Sequence, residues 1–249
     1  MKDNIKFDTL WNMFNKYEVA NYICNFVHRV LLIIHERLLE QMFGIKEAHA
    51  TSRLQQQNII EEKCKKGRKP YAPSPRFVIR WLHQLLPNDL SEWAFIDIGS
   101  GLGRVVLEAA RWNYAAIFGI EISEQLVTQA RQNVYAIIRE TTKRRRIHIL
   151  HHDATRIRLP IIPCVIYFFN PFDRKSMEKF LDCIFDSYET CRRPLFLIYL
   201  NPVDDDLIAS CKFLHPVSIP IGLRLRILLL SPFPVQIYAT MECIIKHST

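Results

Sequence analysis

The sequence contains no CxxC pair, no apolar run long enough to cross a bilayer, no repeat period and no leader-like start. Each absence removes a class of protein. Its seven cysteines are scattered singly, several of them inside apolar runs where a thiol behaves as a small hydrophobe. A reducing, cytosol-like compartment follows as the expectation. The opening MKDNIKFD lacks the basic-then-apolar order of a secretory signal, and its acidic residues are unlike a transit peptide, so a cytoplasmic location is expected. In the N-terminal segment the uninterrupted apolar stretch, Val30–Ile34, is bracketed by His28, Arg29, His35, Glu36 and Arg37. A membrane span needs roughly 20 mainly apolar residues, so no transmembrane crossing is expected. His148, His151 and His152 have no third ligand at a usual metal spacing, and no metal site is expected.

What is present is a chain of 249 residues, 49% of them hydrophobic, enough for one substantial core and an accessory element. The formal charge of +8 favours acidic partners and says nothing about fold. Three zones follow one another. Residues 1–44 form a candidate amphipathic helical arm, with Val19, Ile23, Phe26, Val30, Ile33 or Ile34, Leu38 and Met42 along one face. Such an arm packs on the domain, on a second copy as a homodimer, or on a membrane surface. Residues 45–70 read as a polar linker ending in the basic run 63–69, and a second basic run spans 143–146. Either run suits nucleic-acid phosphates or a plain solvated helix end.

From residue 71 to 249 strands and helices alternate, the mark of a parallel sheet covered by helices. Strands are expected at Trp93–Ile98, Ala115–Ile120, Ile147–Leu150, Cys164–Phe169 and Leu195–Leu200. Helices are expected at Leu102–Trp112, at Ser123–Arg139 with Ser123 as N-cap, and at Arg174–Tyr188. Between Phe213 and Ile245, β-favouring runs broken by prolines predict antiparallel strands at the sheet edge.

The stretch Phe95-Ile96-Asp97-Ile98-Gly99-Ser100-Gly101-Leu102-Gly103-Arg104 joins the first strand to its helix. Gly99 and Gly101 let the chain turn sharply and let a ligand lie against the backbone, and Gly103 is expected to let the helix pack close to the sheet. A dinucleotide fingerprint needs glycine at the sixth position, where Arg104 stands. Asp97, two residues before the first glycine, would repel pyrophosphate and suit an ammonium group. Glu121, closing the second strand, can accept both hydroxyls of a ribose. Asp153, after the third strand, stands in chain order to reach an adenine amine. Three acidic strand ends in succession point to a nucleoside with a cationic tail.

The runs FIDIGSGLGR, GIEIS, HHDA and YFFNPF, over residues 71 to 206, resemble the ordered motifs of class I S-adenosylmethionine-dependent methyltransferases. Within that superfamily the chain resembles small bacterial methyltransferase-domain proteins with a YxPxP segment, here Tyr71-Ala72-Pro73-Ser74-Pro75, and an FNPF segment. It is more distantly similar to non-SET protein-lysine methyltransferases. The resemblance implies S-adenosyl-L-methionine as cofactor and a doubly wound, Rossmann-like seven-strand α/β sheet with a reversed C-terminal β-hairpin. It implies cofactor contacts at Asp97, Gly99, Ser100, Gly101, Glu121, Asp153 and Ala154, with Tyr71 and Asn170 beside them. Amino-group methylases of nucleobases carry a second proline after the Asn-Pro pair, and this chain has Phe172 there.

Methyl transfer depends mainly on positioning a nucleophile in line with the donor. Asn170 Oδ1 and the Pro171 carbonyl are the candidate catalytic acceptors for an amine that must arrive neutral, and a protein lysine is the expected acceptor. Tyr71 either closes over the cofactor or packs structurally. A nucleic-acid or small-molecule acceptor, a cofactor-binding regulator without turnover and an NAD-dependent dehydrogenase are the alternatives. Arg104 and Asp97 count against the last.

Overall fold

The computed structural model describes residues 74–246 except 139, 140 and 232. The amphipathic segment, the linker with its basic run 63–69, and Tyr71 lie outside the described residues. Seven strands form one sheet: β1 (Ala94–Ile98), β2 (Ala116–Glu121), β3 (Ile147–His151), β4 (Cys164–Phe169), β5 (Leu195–Leu200), β6 (His215–Pro216) and β7 (Val235–Ala239). Their order is β3-β2-β1-β4-β5-β7-β6. The first five are parallel, and β7 runs antiparallel to both β5 and β6. This is the doubly wound α/β sheet with a reversed final strand that the alternation and the resemblance imply.

Eight helices accompany it among the described residues: α1 (Arg76–Leu82), α2 (Arg104–Ala109), α3 (Glu124–Ile137), α4 (Thr141–Arg145), α5 (Arg174–Thr190), α6 (Asp205–Ala209), α7 (Ile221–Leu230) and α8 (Met241–Lys246). On one face Phe77 and Val78 of α1, Val106 of α2 and Ala130 of α3 pack over Phe95, Tyr167 and Ile198. On the other, Met177, Phe180 and Ile184 of α5 pack over Ile96, Phe168 and Leu197. The central strands β1, β4 and β5 are covered on both faces, which is why β4 and β5 read as unbroken apolar runs and β1 as one interrupted only by Asp97. Each fully buried large aliphatic or phenylalanine contributes about 1.5–3 kcal/mol. Helix α5 shows the local logic: Asp173 caps it by accepting from the Ser176 amide at 2.8 Å, and Met177, Phe180, Leu181, Ile184 and Tyr188 form its inner stripe.

Three expectations are corrected. The run Ile221–Leu230 is helix α7, where edge strands were expected. Its leucines and arginines are strong helix formers, and Pro220 stands just before the first turn. Ser123 does occupy the N-cap position of α3, but its side chain makes no capping bond. Gly103 brings the turn against α3, not the sheet, because a Cβ there would lie 3.4 Å from Ala130 Cβ.

Candidate functional site

The carboxyl ends of β1, β2, β3 and β4 lie side by side, so the segments that follow them meet along one edge. After β1 the chain turns through Gly99 and Gly101, whose φ values of 74° and 54° are strained for any residue with a Cβ. The turn is anchored to β2: the Gly99 and Ser100 amides both donate to the Ile120 carbonyl, at 2.8 and 3.0 Å. Glu121 completes the anchor. Its Oε2 accepts from the Gly101 amide at 3.0 Å and its Oε1 from the Ser123 amide at 2.9 Å. The residue expected to hold a ribose therefore also shapes the glycine turn, and a carboxylate oxygen can accept more than one bond.

Asp97 lies beneath this turn, paired in register between Gly119 of β2 and Tyr167 of β4. It is 2% exposed, and its Oδ2 has no hydrogen-bond partner. Burial, reinforced by the Glu121 charge, holds its carboxyl well above the usual range. Ser100 Oγ is a second buried polar atom without a partner. Both flank Gly119, where a Cβ would come within 2.9 Å of Ser100 Oγ and of Ile149 Cδ1. Buried polar groups are nearly always satisfied, so two unpartnered atoms at one strand end make this edge the candidate site for a polar ligand. Asp97 offers a carboxylate to a cation; Ser100 offers a hydroxyl that donates or accepts.

Asp153 lies one strand beyond Glu121, tied to it by a bond from the His152 amide to the Glu121 carbonyl at 3.0 Å. Its Oδ1 accepts from the Thr155 amide at 2.9 Å and the Thr155 hydroxyl at 2.8 Å, capping the short 3-10 turn Ala154–Arg156. Burial raises its pKa, but the Thr155 bonds, Arg156 and His152 outweigh that and leave it below the usual carboxylate range. Ala154 turns its methyl into the core beside α5. No group of three His, Cys, Asp or Glu side chains placed to hold a metal occurs among the described residues.

On the other flank Asn170 follows β4 in the left-handed conformation, φ 42°, which asparagine tolerates better than most residues. Pro171 then lies against the turn, its Cβ 3.0 Å from where a Cβ on Gly99 would be. Asn170 is buried, and the Tyr199 hydroxyl at the end of β5 donates to its Oδ1 at 3.3 Å. That hydroxyl in turn accepts from the Val203 and Asp204 amides at 3.2 and 3.3 Å, which fixes the direction of its own proton. Of the YxPxP segment, Ser74 and Pro75 are described. Ser74 accepts from the Tyr167 hydroxyl at 2.7 Å, on the strand next to Asp97.

The expected residues Asp97, Gly99, Ser100, Gly101, Glu121, Asp153, Asn170 and Pro171 thus gather at one edge. Gly119, Tyr167 and Tyr199 were missed. Gly119 carried a signal, since an isolated glycine within a strand often marks a close approach; the two tyrosines act on partners distant in sequence. A hollow of about 550 Å³ elsewhere, lined in part by Leu181, Phe185, Tyr188, Phe213 and Met241, shares none of the site residues.

No protein-family model matches the chain, and no curated protein matches it. Among solved structures it is similar to the Escherichia coli protein yhhF, whose methyltransferase name is provisional. The identity is 15% and the TM-score 0.50, over 69% of this chain and 90% of that one. It is also similar to an RNA methyltransferase from Salinibacter ruber in complex with S-adenosyl-L-homocysteine, at 17% identity and TM-score 0.45, over 68% and 92% of the two chains. A third is TrmN from Thermus thermophilus, at 16% and 0.48, over 68% of this chain and 49% of that one. At 15% identity the likeness to yhhF extends to the fold, the seven-strand α/β sheet seen here.

Proposed function

We propose that residues 71–249 act as an S-adenosylmethionine-dependent methyltransferase whose acceptor is a nitrogen, a lysine side chain of a protein. The observation that carries the cofactor assignment is the pair of buried, unpartnered atoms, Asp97 Oδ2 and Ser100 Oγ, under a glycine turn ordered by Glu121. The residues fit the group: Asp97 and Ser100 hold the ammonium and carboxylate end, Glu121 the ribose hydroxyls and Asp153 the adenine amine. Asp97 disfavours the pyrophosphate of NAD at the same place. When bound, the sulfonium supplies a methyl group already activated for displacement. The chain's part is to orient and desolvate the amine. An amide oxygen can accept two bonds, so Asn170 Oδ1, directed by Tyr199, takes one from the amine and the Pro171 carbonyl another. Desolvation disfavours the ammonium form, and the two bonds orient the neutral, nucleophilic amine. The neutral amine held by these acceptors would take up that methyl group, and its displaced proton would leave to solvent.

A labelled-methyl transfer assay on fractionated protein, RNA, DNA and small metabolites tests the acceptor. Label on protein lysine supports it; label confined to another fraction rejects it while sparing the cofactor assignment. A nucleic-acid acceptor is the second reading, favoured by one observation: Arg144 of the basic run 143–146 lies over the exposed Tyr135 ring, 5.1 Å from its centre.

A further inference from the structure

Helix α7 has two apolar faces, and the sheet covers one. Leu223 and Ile227 are buried with Ile219 and Val235. Ile221, Leu225 and Leu229, four residues apart, form a row on the other side and are 73%, 49% and 66% exposed, with Leu230 beside them at 43%. The row runs about 12 Å along the helix. A contiguous exposed aliphatic row of this length is unusual on a protein surface, so this outer face calls for an occupant.

Place and charge indicate which one. The C-terminal end of α7 lies at the carboxyl edge of the sheet, because it leads into β7, whose first residue pairs with the last of β5. Past its end the Phe233 ring packs on Phe169, 4.6 Å between centres, and the Asn201 amide donates to the Pro234 carbonyl at 2.8 Å. Phe169 immediately precedes Asn170. From Leu207 to Met241 the sequence has no aspartate or glutamate, while Lys212, Arg224 and Arg226 are basic, and the whole chain carries +8. Aliphatic side chains offer nothing to nucleic acid, which is read by stacking and polar contacts. Aliphatics flanked by arginines on an acid-free segment match an anionic lipid surface, where the apolar row enters the acyl boundary and the cations meet phosphates.

We propose that α7 docks the protein on an anionic membrane surface through Ile221, Leu225 and Leu229, with Arg226 at headgroup level. Docking there brings the carboxyl edge next to the lipid, so that the amine reaching Asn170 belongs to a membrane-borne protein. That second step rests on the methyltransferase reading; the lipid contact does not.

The test is flotation of the full chain with phosphatidylcholine vesicles containing or lacking phosphatidylglycerol, beside the double variant Ile221→Glu/Leu225→Glu and the single variant Arg226→Glu. Both aliphatics are exposed, so the fold tolerates the change, and circular dichroism checks it. The wild-type chain should float only with phosphatidylglycerol and less as salt rises. The double variant should bind at least about tenfold more weakly, since it loses two inserted side chains and gains two negative charges. Absence of phosphatidylglycerol-dependent flotation overturns the proposal. So does flotation undiminished in the double variant, which would put the contact elsewhere, for instance in residues 19–42. A concentration-dependent dimer that the double variant disperses without lipid also overturns it, by assigning the face to a second copy. S-adenosylmethionine affinity measured on the same samples is expected to be equal in all variants. Its absence in the wild type with lipid binding intact would remove the methyltransferase reading and leave the docking.

Discussion

Replacing Asp97 with asparagine should make the protein more stable and worse at binding its cofactor. The carboxylate is 2% exposed, one of its oxygens has no partner, and Glu121 lies close enough to raise its pKa further. Keeping this carboxyl buried without a partner, by taking up a proton above its ordinary pKa or by carrying an unsatisfied charge, costs about 1–3 kcal/mol or more. Asparagine keeps the shape, removes that cost and leaves an amide to satisfy, so a net gain of about 1–2 kcal/mol is expected, or roughly 2–8 °C in Tm for a domain of this size. The bond Asp97 offers a ligand ammonium is charge-assisted, and its loss should cost about 1.5–3 kcal/mol, a weakening of about 10- to 150-fold. A pH signature accompanies it. A carboxyl held above its ordinary pKa must lose its proton to meet a cation, so wild-type affinity should rise with pH and binding should release protons. Calorimetry in buffers of different ionisation enthalpy, beside thermal melts, reads all three effects. An Asp97→Asn variant that melts lower than wild type, or binds within about twofold of it, would refute the reasoning, because the buried carboxyl would then be neither unfavourable nor waiting for a cation.

Gly119→Ala should force Ser100 Oγ and Ile149 Cδ1 to give way, destabilising the fold by about 1–3 kcal/mol and loosening cofactor binding; unchanged melts and affinity would show that the contact is slack. Tyr199→Phe removes the donor that directs Asn170, and Asn170→Ala removes the acceptor itself. Both should lower kcat while leaving S-adenosylmethionine affinity nearly intact, and full turnover in Asn170→Ala would reduce that residue to a turn former. His83 is held neutral by burial, its pKa lowered to about 4, with Nδ1 bonded to the Ile79 carbonyl and Nε2 facing the Tyr114 hydroxyl. Because the unfolded chain takes up that proton near pH 6.5, His83 stability is complete above that pH and lost as pH falls toward 4, by up to about 3 kcal/mol. Denaturant titrations in an Asp97→Asn background, which removes the opposite contribution of that carboxyl, should show the slope; a flat profile from pH 7 to about 4 would contradict it.

The strands β4 and β5 were legible because burial on both faces leaves unbroken apolar runs, and they begin and end where expected; β1 was legible as such a run broken only by Asp97. The acidic residues were legible because each stands at or just beside the carboxyl end of a strand in chain order. The parts that escaped depend on partners far along the chain. Glu121 reads as a ligand contact from its position, and that it also ties the Gly101 and Ser123 amides emerges only with the turn folded. Tyr199 is 29 residues from Asn170, and Tyr167 is 93 from Ser74. Helix α7 escaped because Leu223-Arg224-Leu225-Arg226-Ile227 alternates apolar and charged residues with the period of a half-buried strand.

The central claim is that the edge built from Asp97, Ser100, Gly101 and Glu121 is made for a nucleoside with a cationic amino-acid tail. Isothermal titration of the full chain with S-adenosylmethionine, S-adenosylhomocysteine and NAD tests it most directly. Saturable one-to-one binding of the first two, weakened in Glu121→Ala by about 1–3 kcal/mol and absent with NAD, is the predicted result. No heat with either sulfur nucleoside beside saturable NAD binding would contradict it.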